Sequence, residues 1–236
     1  MTGRPGDPLR AGTSVNDIMG GMFGAIGVLG ALIQRGITGR GQEIQSALFE
    51  NNVFLVGQHM LQYAITGVAA DPMPNRISAW GVYDVFTVKN GEQIFLSAVS
   101  EPQWATFCDV LGFADLKADA RFATNAARCE NNALLKRLIE AVTLGQPVSH
   151  WIETLESAGL PTGKVQNMAE VLADPQLLAR HMVLPVDPNA QGTRFTAPGN
   201  PIKMSTLPEI TGRAAAPTLD GDRQALLAWL EGADAL

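Results

Sequence analysis

Sixteen consecutive residues, Ile18 to Ile33, carry no charge, and five of them are glycine. Asp17 stands at their head. A run this apolar has to be covered by something, yet each glycine inside a helix costs up to ~1 kcal/mol relative to alanine. Gly20, Gly24, Gly27 and Ala31 recur at spacings of four, three and four. That places them on one face of a helix expected over about 16–35, where another backbone can approach closely. The run is shorter than the roughly 20 residues a membrane span needs. The expectation is therefore a buried helix, with no membrane partner.

The rest of the chain frames that helix. At 236 residues it suits one large domain or two small ones. Hydrophobic residues make up 46% and charged residues 17%, which is a globular composition. The net charge of -6 and the lack of a basic tract argue against non-specific nucleic-acid binding. Cys108 and Cys129 stand alone without CxxC spacing, so the expectation is a reducing compartment and no disulfide framework. The start, "MTGRPGDPLRAGTS", has no basic flank followed by an apolar core, and a cytoplasmic location is expected on that ground. Residues 1–13 read as a loop broken by Gly and Pro. So abrupt an approach to the most apolar helix suggests the latter part of a longer protein.

"TGRGQ" (Thr38 to Gln42) ends the first helix, "QEIQSAL" reads as a short strand, and a second helix is expected from Phe49 to Thr66, stopped by Gly67. Residues 68–80 are loop. "VYDVFTV" and "QIFLSAV" then flank "KNGE", a hairpin signal with Asn90-Gly91 as a two-residue turn. Helices follow over 101–111, with Ser100 as its cap, 131–143 and 147–158. "AGLPTGKV" leads into a short strand. "MAEVLADPQLLAR" is a helix interrupted at Asp174-Pro175, residues 183–206 hold short extended pieces, and a last helix spans about Asp220 to Leu230.

Catalytic signatures are sparse. GxSxG, GxxxxGK[ST] and HExxH are absent, and His59, His150 and His181 are scattered without metal-ligand spacing, so no metal site is expected. "GGMFGAIG" superficially resembles a dinucleotide fingerprint, but it does not give GxGxxG and no strand precedes it. Asp17 remains, with two readings. It is a first-turn acid favoured by the helix dipole, or it is a nucleophile toward an activated acyl group, with backbone N–H groups nearby for an oxyanion. Glu101 likewise reads as an exposed first-turn acid or as a proton carrier. Arg40 reads as a partner for a phosphate or for a carboxylate.

Asp17, the glycine-rich helix and "TGRGQ" resemble the class III CoA-transferase family, which includes formyl-CoA and carnitine CoA-transferases. "WGVYDVFTVKNGEQIFLSAVSEPQW" is similar to the family's small-domain opening. "DARF" and "RFATNAAR" resemble its next stretch, and "LESAGLPTGKVQNMAEVLADPQLLAR" resembles the segment before its last strands. The resemblance covers essentially the whole chain. It implies an α/β fold, the C-terminal portion of the class III CoA-transferase fold. Residues 1–67 would belong to a Rossmann-like large domain. Residues 68–182 would form a small α+β domain with an antiparallel sheet, and residues 183–236 would return to the large domain. It also implies an interlocked homodimer, acyl-CoA and a carboxylic acid acceptor as partners, and no tightly bound cofactor, the CoA thioester being substrate.

The resemblance implies that Asp17 is the nucleophile, passing through a mixed anhydride and an aspartyl-CoA thioester. Gly20, Gly21, Lys89 and Asn90 would then lie near CoA or the acyl group. The family's N-terminal part, which carries most of the CoA contacts, is missing. Formyl-CoA transferase has four consecutive glycines before the hairpin, whereas "NRISAWGVYD" here keeps only Gly81, which implies a larger acid. The same fold hosts 2-methylacyl-CoA racemases. There Asp17 would be a general base, and Glu101 falls where the racemase has its Glu. A third reading is a non-catalytic fragment or scaffold assembled through the glycine-faced helix.

Overall fold

The computed structural model describes residues 2–4, 6–73, 79–189 and 192–233, and the chain forms two compact units, 1–164 and 165–236. The expected loop over 68–80 is thus only partly covered, since 74–78 lie outside the described residues.

The first unit opens not on a plain loop but on a two-residue antiparallel ladder, β1 (Gly3–Arg4) against β2 (Asp7–Pro8). Helix α1 spans Val15–Thr38, ending where Gly39 turns left-handed at φ 70° and donates its N–H to the Arg35 carbonyl. Residues 41–47 carry no strand pairing, so the strand expected from "QEIQSAL" does not form. Nothing among the described residues offers it a ladder. The segment packs along α1 instead: Ser46 Oγ donates to the Gly20 carbonyl at 3.2 Å, and Ile44 and Leu48 cover the helix's glycine side. The single helix expected over 49–66 is two, α2 (Leu48–Leu55) and α3 (Gly57–Thr66), with Val56 leaving helical geometry between them. Gly67 stops α3 as expected.

None of α1 is buried. Ile18, Met22, Ile26, Leu29 and Ile33 are each more than half exposed, as are Phe49 and Phe54 of α2. The expected buried helix is therefore bare in this chain. The reason is a shortage of neighbours: segment 44–55 covers one side, and no other described element packs closely on the rest. At 24 residues, α1 is long and apolar enough by composition to cross a membrane. On its glycine face, Gly20 and Gly27 nevertheless meet the side chains of Leu48 and Ile44.

The core lies further along. Strands β3 (Val82–Thr87) and β4 (Gln93–Ala98) form the expected hairpin, and its register pairs Phe86 with Ile94. The connection is a three-residue loop, Lys89–Gly91, rather than a two-residue turn. Asn90 and Gly91 both take positive φ, 68° and 77°, which Asn and Gly tolerate best. Helices α4 (Glu101–Leu111), α5 (Ala114–Ala118), α6 (Asn125–Glu130), α7 (Asn132–Thr143) and α8 (Val148–Ser157) follow. Strand β5 (Thr162–Lys164) then pairs antiparallel with β4, giving the order β3-β4-β5. Ser100 caps α4 by accepting from Gln103 N–H, and Pro102 sits in its first turn.

One face of this sheet, with Val82, Phe86, Ile94 and Leu96, meets Trp104 and Phe107 of α4, Leu135 and Ile139 of α7, and Trp151 and Leu155 of α8. Each such side chain contributes about 1.5–3 kcal/mol on burial. The buried Trp151 indole donates to the Thr143 carbonyl at 2.8 Å, and the Thr143 hydroxyl donates to Thr87 O at 2.7 Å, tying both helices to the sheet.

The second unit holds α9 (Met168–Ala173), α10 (Pro175–Ala179), the antiparallel pair β6 (Val183–Val186) and β7 (Phe195–Pro198), and α11 (Arg223–Ala233). Asn167 and Glu170 form a capping box on α9, and the Asp174 carboxylate caps α10 ahead of Pro175, the break expected at that dipeptide.

Candidate functional site

Asp17 is the third residue of α1 and is exposed. Its carboxylate makes no hydrogen bond or ion pair among the described residues. Ser14, at the N-cap, has a backbone outside the usual capping geometry and makes no side-chain bond to the first turn. The N–H groups of Asn16 and Asp17 are therefore not capped by Ser14, and they sit at the positive end of a 24-residue helix. Asp17 lines a cavity of about 340 Å³ together with Arg10, Thr13, Ser14, Asn52 and Leu55. The helix start sets Asp17 in its wall, and α2, held against α1, brings Asn52 and Leu55 to it.

The other expected site residues are not gathered there. Gly20, Gly21, Lys89, Asn90 and Glu101 do not line this cavity. Gly20 is packed by protein: a Cβ on it would lie 2.5 Å from Leu48 Cδ2. Gly21 faces open space, with nothing within 4 Å of that position. Lys89 and Asn90 sit on the hairpin turn, where the Lys89 N–H donates to Gln146 O at 3.1 Å.

Glu101 begins α4, and its Oε1 accepts from Arg128 Nη2 at 2.6 Å. Arg128 is 2% exposed. Its Nη1 donates to Phe122 O at 2.8 Å, and its guanidinium carbon lies 4.8 Å from the centre of the Trp104 ring. The hydrogen bond from Arg128 holds the Glu101 carboxyl below the usual carboxylate range. That opposes proton uptake by Glu101 near neutral pH. Burial pushes the Cys108 thiol up to about 11, which makes it a poor nucleophile.

Arg10 and Asn52 were missed as site residues from sequence. Arg10 lies in a stretch read as loop, and Asn52 is 35 residues beyond Asp17; only the packing of α2 on α1 brings them to one cavity. Arg128 lay inside "RFATNAAR" without a role, and only its burial shows one.

Comparison with known proteins gives a consistent picture. The model of CoA-transferase family III matches residues 1–223. The chain is 32% identical over 227 residues to acetyl-CoA:oxalate CoA-transferase of Acetobacter aceti, covering 95% of this chain and 57% of that protein. It is 31% identical over 223 residues to succinyl-CoA:mesaconate CoA-transferase of Haloarcula hispanica, covering 94% and 55%. Among solved structures, a CAIB/BAIF family protein from Brucella suis superposes with a TM-score of 0.80 at 31% identity, over 98% of this chain and 59% of that one. The chain thus spans somewhat over half the length of the relatives it matches.

Proposed function

Because this chain belongs to CoA-transferase family III, we propose that it supplies the reacting carboxylate for CoA transfer from an acyl-CoA to a carboxylic acid, with Asp17 as nucleophile. The observation that carries this reading is an unpartnered carboxylate in the wall of a cavity, at a helix start whose cap residue leaves it uncapped.

The chemistry follows from that placement. The Asp17 carboxylate attacks the thioester carbonyl and expels CoA thiolate, leaving a mixed anhydride. The thiolate attacks the Asp17 carbonyl of that anhydride, releasing the donor acid and forming an aspartyl-CoA thioester. The acceptor carboxylate attacks this thioester, giving a second anhydride and thiolate again. The thiolate then takes the acceptor's acyl carbon and frees Asp17. Backbone N–H groups at the start of α1 favour the oxyanion in each step.

Nothing in the geometry favours proton transfer by Glu101, whose carboxylate is held by Arg128. The working assembly is an interlocked homodimer. In support, the contiguous apolar surface of α1 to α3 is of a kind that soluble monomers rarely expose.

Incubation with acyl-CoA and hydroxylamine tests the nucleophile. The expected result is an aspartyl hydroxamate on the Asp17 peptide by mass spectrometry, and an unmodified peptide contradicts the proposal. In a preparation that turns over, Asp17→Asn lowers kcat by at least ~10³-fold; retained turnover sinks it.

A further inference from the structure

The cavity that holds Asp17 also holds a cation that the proposed reaction does not use. Arg10 has no hydrogen bond or ion pair among the described residues, and neither does Asp17. Although they line the same cavity, the two charges do not form an ion pair with each other within 4.0 Å. Arg10 and Asp17 both line this cavity and neither charge is engaged, which leaves room for a ligand that answers both. Its volume, about 340 Å³, lies at the small end of ligand pockets, roughly 300–1,000 Å³.

The charges decide which ligand. An acid approaching Asp17 brings one carboxylate toward another, and the two repel. A cation in the same cavity offsets that repulsion for an acid with a second carboxylate to place on it. Arginine suits this task, because its planar fork meets a carboxylate in bidentate geometry and stays charged at any working pH. Leu55 adds an apolar wall for a short carbon chain, while Asn52 and Thr13 add polar groups. Two relatives act, by their names, on oxalate and mesaconate, and both acids carry two carboxylates.

We propose that Arg10 anchors the distal carboxylate of a short dicarboxylic acid whose other carboxyl group reacts at Asp17. The assignment rests on the CoA-transfer reading for its catalytic meaning. As a binding site it stands on the cavity alone. The same guanidinium chemistry serves a phosphate of CoA, so the test separates the two anions.

The probes are glutarate, its monomethyl ester and free CoA, with Arg10→Gln and Arg10→Lys compared with the unaltered protein. By calorimetry, glutarate is expected to bind, and Arg10→Gln should weaken that binding by about ten- to a hundredfold, with Arg10→Lys restoring part of it. In turnover, the ratio of kcat/KM for glutarate over the monomethyl ester should fall by the same factor in Arg10→Gln. A merely structural role lowers both substrates together and leaves the ratio unchanged, which overturns the assignment. Loss of CoA binding in Arg10→Gln with glutarate binding intact overturns it in favour of a phosphate contact. The binding arm requires no turnover. Glutarate binding that depends on Arg10, found with no hydroxamate at Asp17, upholds the anchor and sinks the transfer reading instead.

Discussion

Arg128 shows how a single residue organises the first unit. Its charge is buried, so it must be met at close range. Among the described residues, the Glu101 carboxylate, the Phe122 carbonyl and the face of Trp104 do so. Glu101 is itself 58% exposed, so solvent screens the pair and its worth falls well below that of a fully buried one. Glu101→Gln is expected to cost about 1–2 kcal/mol at pH 7, read from urea unfolding. Because the folded carboxyl titrates below its unfolded value, its contribution is complete above the ordinary carboxylate range. It is lost as pH falls through the depressed folded value. The difference between the unaltered protein and Glu101→Gln should therefore narrow as pH falls below the ordinary carboxylate range and close once pH passes the depressed folded value. A difference that persists undiminished at pH 3 contradicts the pairing. If Glu101 were instead a working base, Glu101→Gln would abolish turnover without this acid signature.

At the scale of elements, the glycines divide by what surrounds them. Gly81, just before β3, has no room for a Cβ: that atom would lie 2.3 Å from Arg128 Cβ and 3.3 Å from the Arg128 backbone carbon. Since α6 backbone cannot easily move, Gly81→Ala should cost roughly 1–3 kcal/mol by urea or thermal unfolding. Gly20 meets the end of the Leu48 side chain, which can rotate away, and Asn51 Nδ2 at an ordinary 3.4 Å, so Gly20→Ala is cheaper. Gly24 meets nothing within 4 Å. Gly24→Ala therefore keeps only the gain in helix propensity, about 0.5–1 kcal/mol, and should slow amide exchange in α1 by about two- to fivefold. An unchanged or faster exchange in α1 would show that Gly24 is packed after all. The close backbone approach expected along this face is in fact an approach of two side chains, Ile44 to Gly27 and Leu48 to Gly20.

Across the whole molecule, stability is unevenly spread. The buried cluster runs from Val82 to Leu160, while α1 has no buried residue. Hydrogen exchange followed by mass spectrometry should find β3, β4, α4, α7 and α8 the most protected. In this chain α1 to α3 should exchange at least ~100-fold faster. Equal protection would mean that the apolar face of α1 is covered in solution. What the sequence by itself determined was everything carried by near neighbours. The caps at Ser100 and Asp174, the stop at Gly67, the Asn90-Gly91 reversal and the alternation through β3 and β4 all act within a few residues, and all are in place. Asp17 stood out for the same reason, as one charge beside a long uncharged run. Only the tertiary structure decided what depends on distant partners. It left "QEIQSAL" without a ladder and α1 without a cover, buried Arg128 against Glu101, and brought Arg10 and Asn52 into the cavity with Asp17. Burial, strand pairing and a shared cavity are properties of two surfaces at once, and local spacing specifies only one of them.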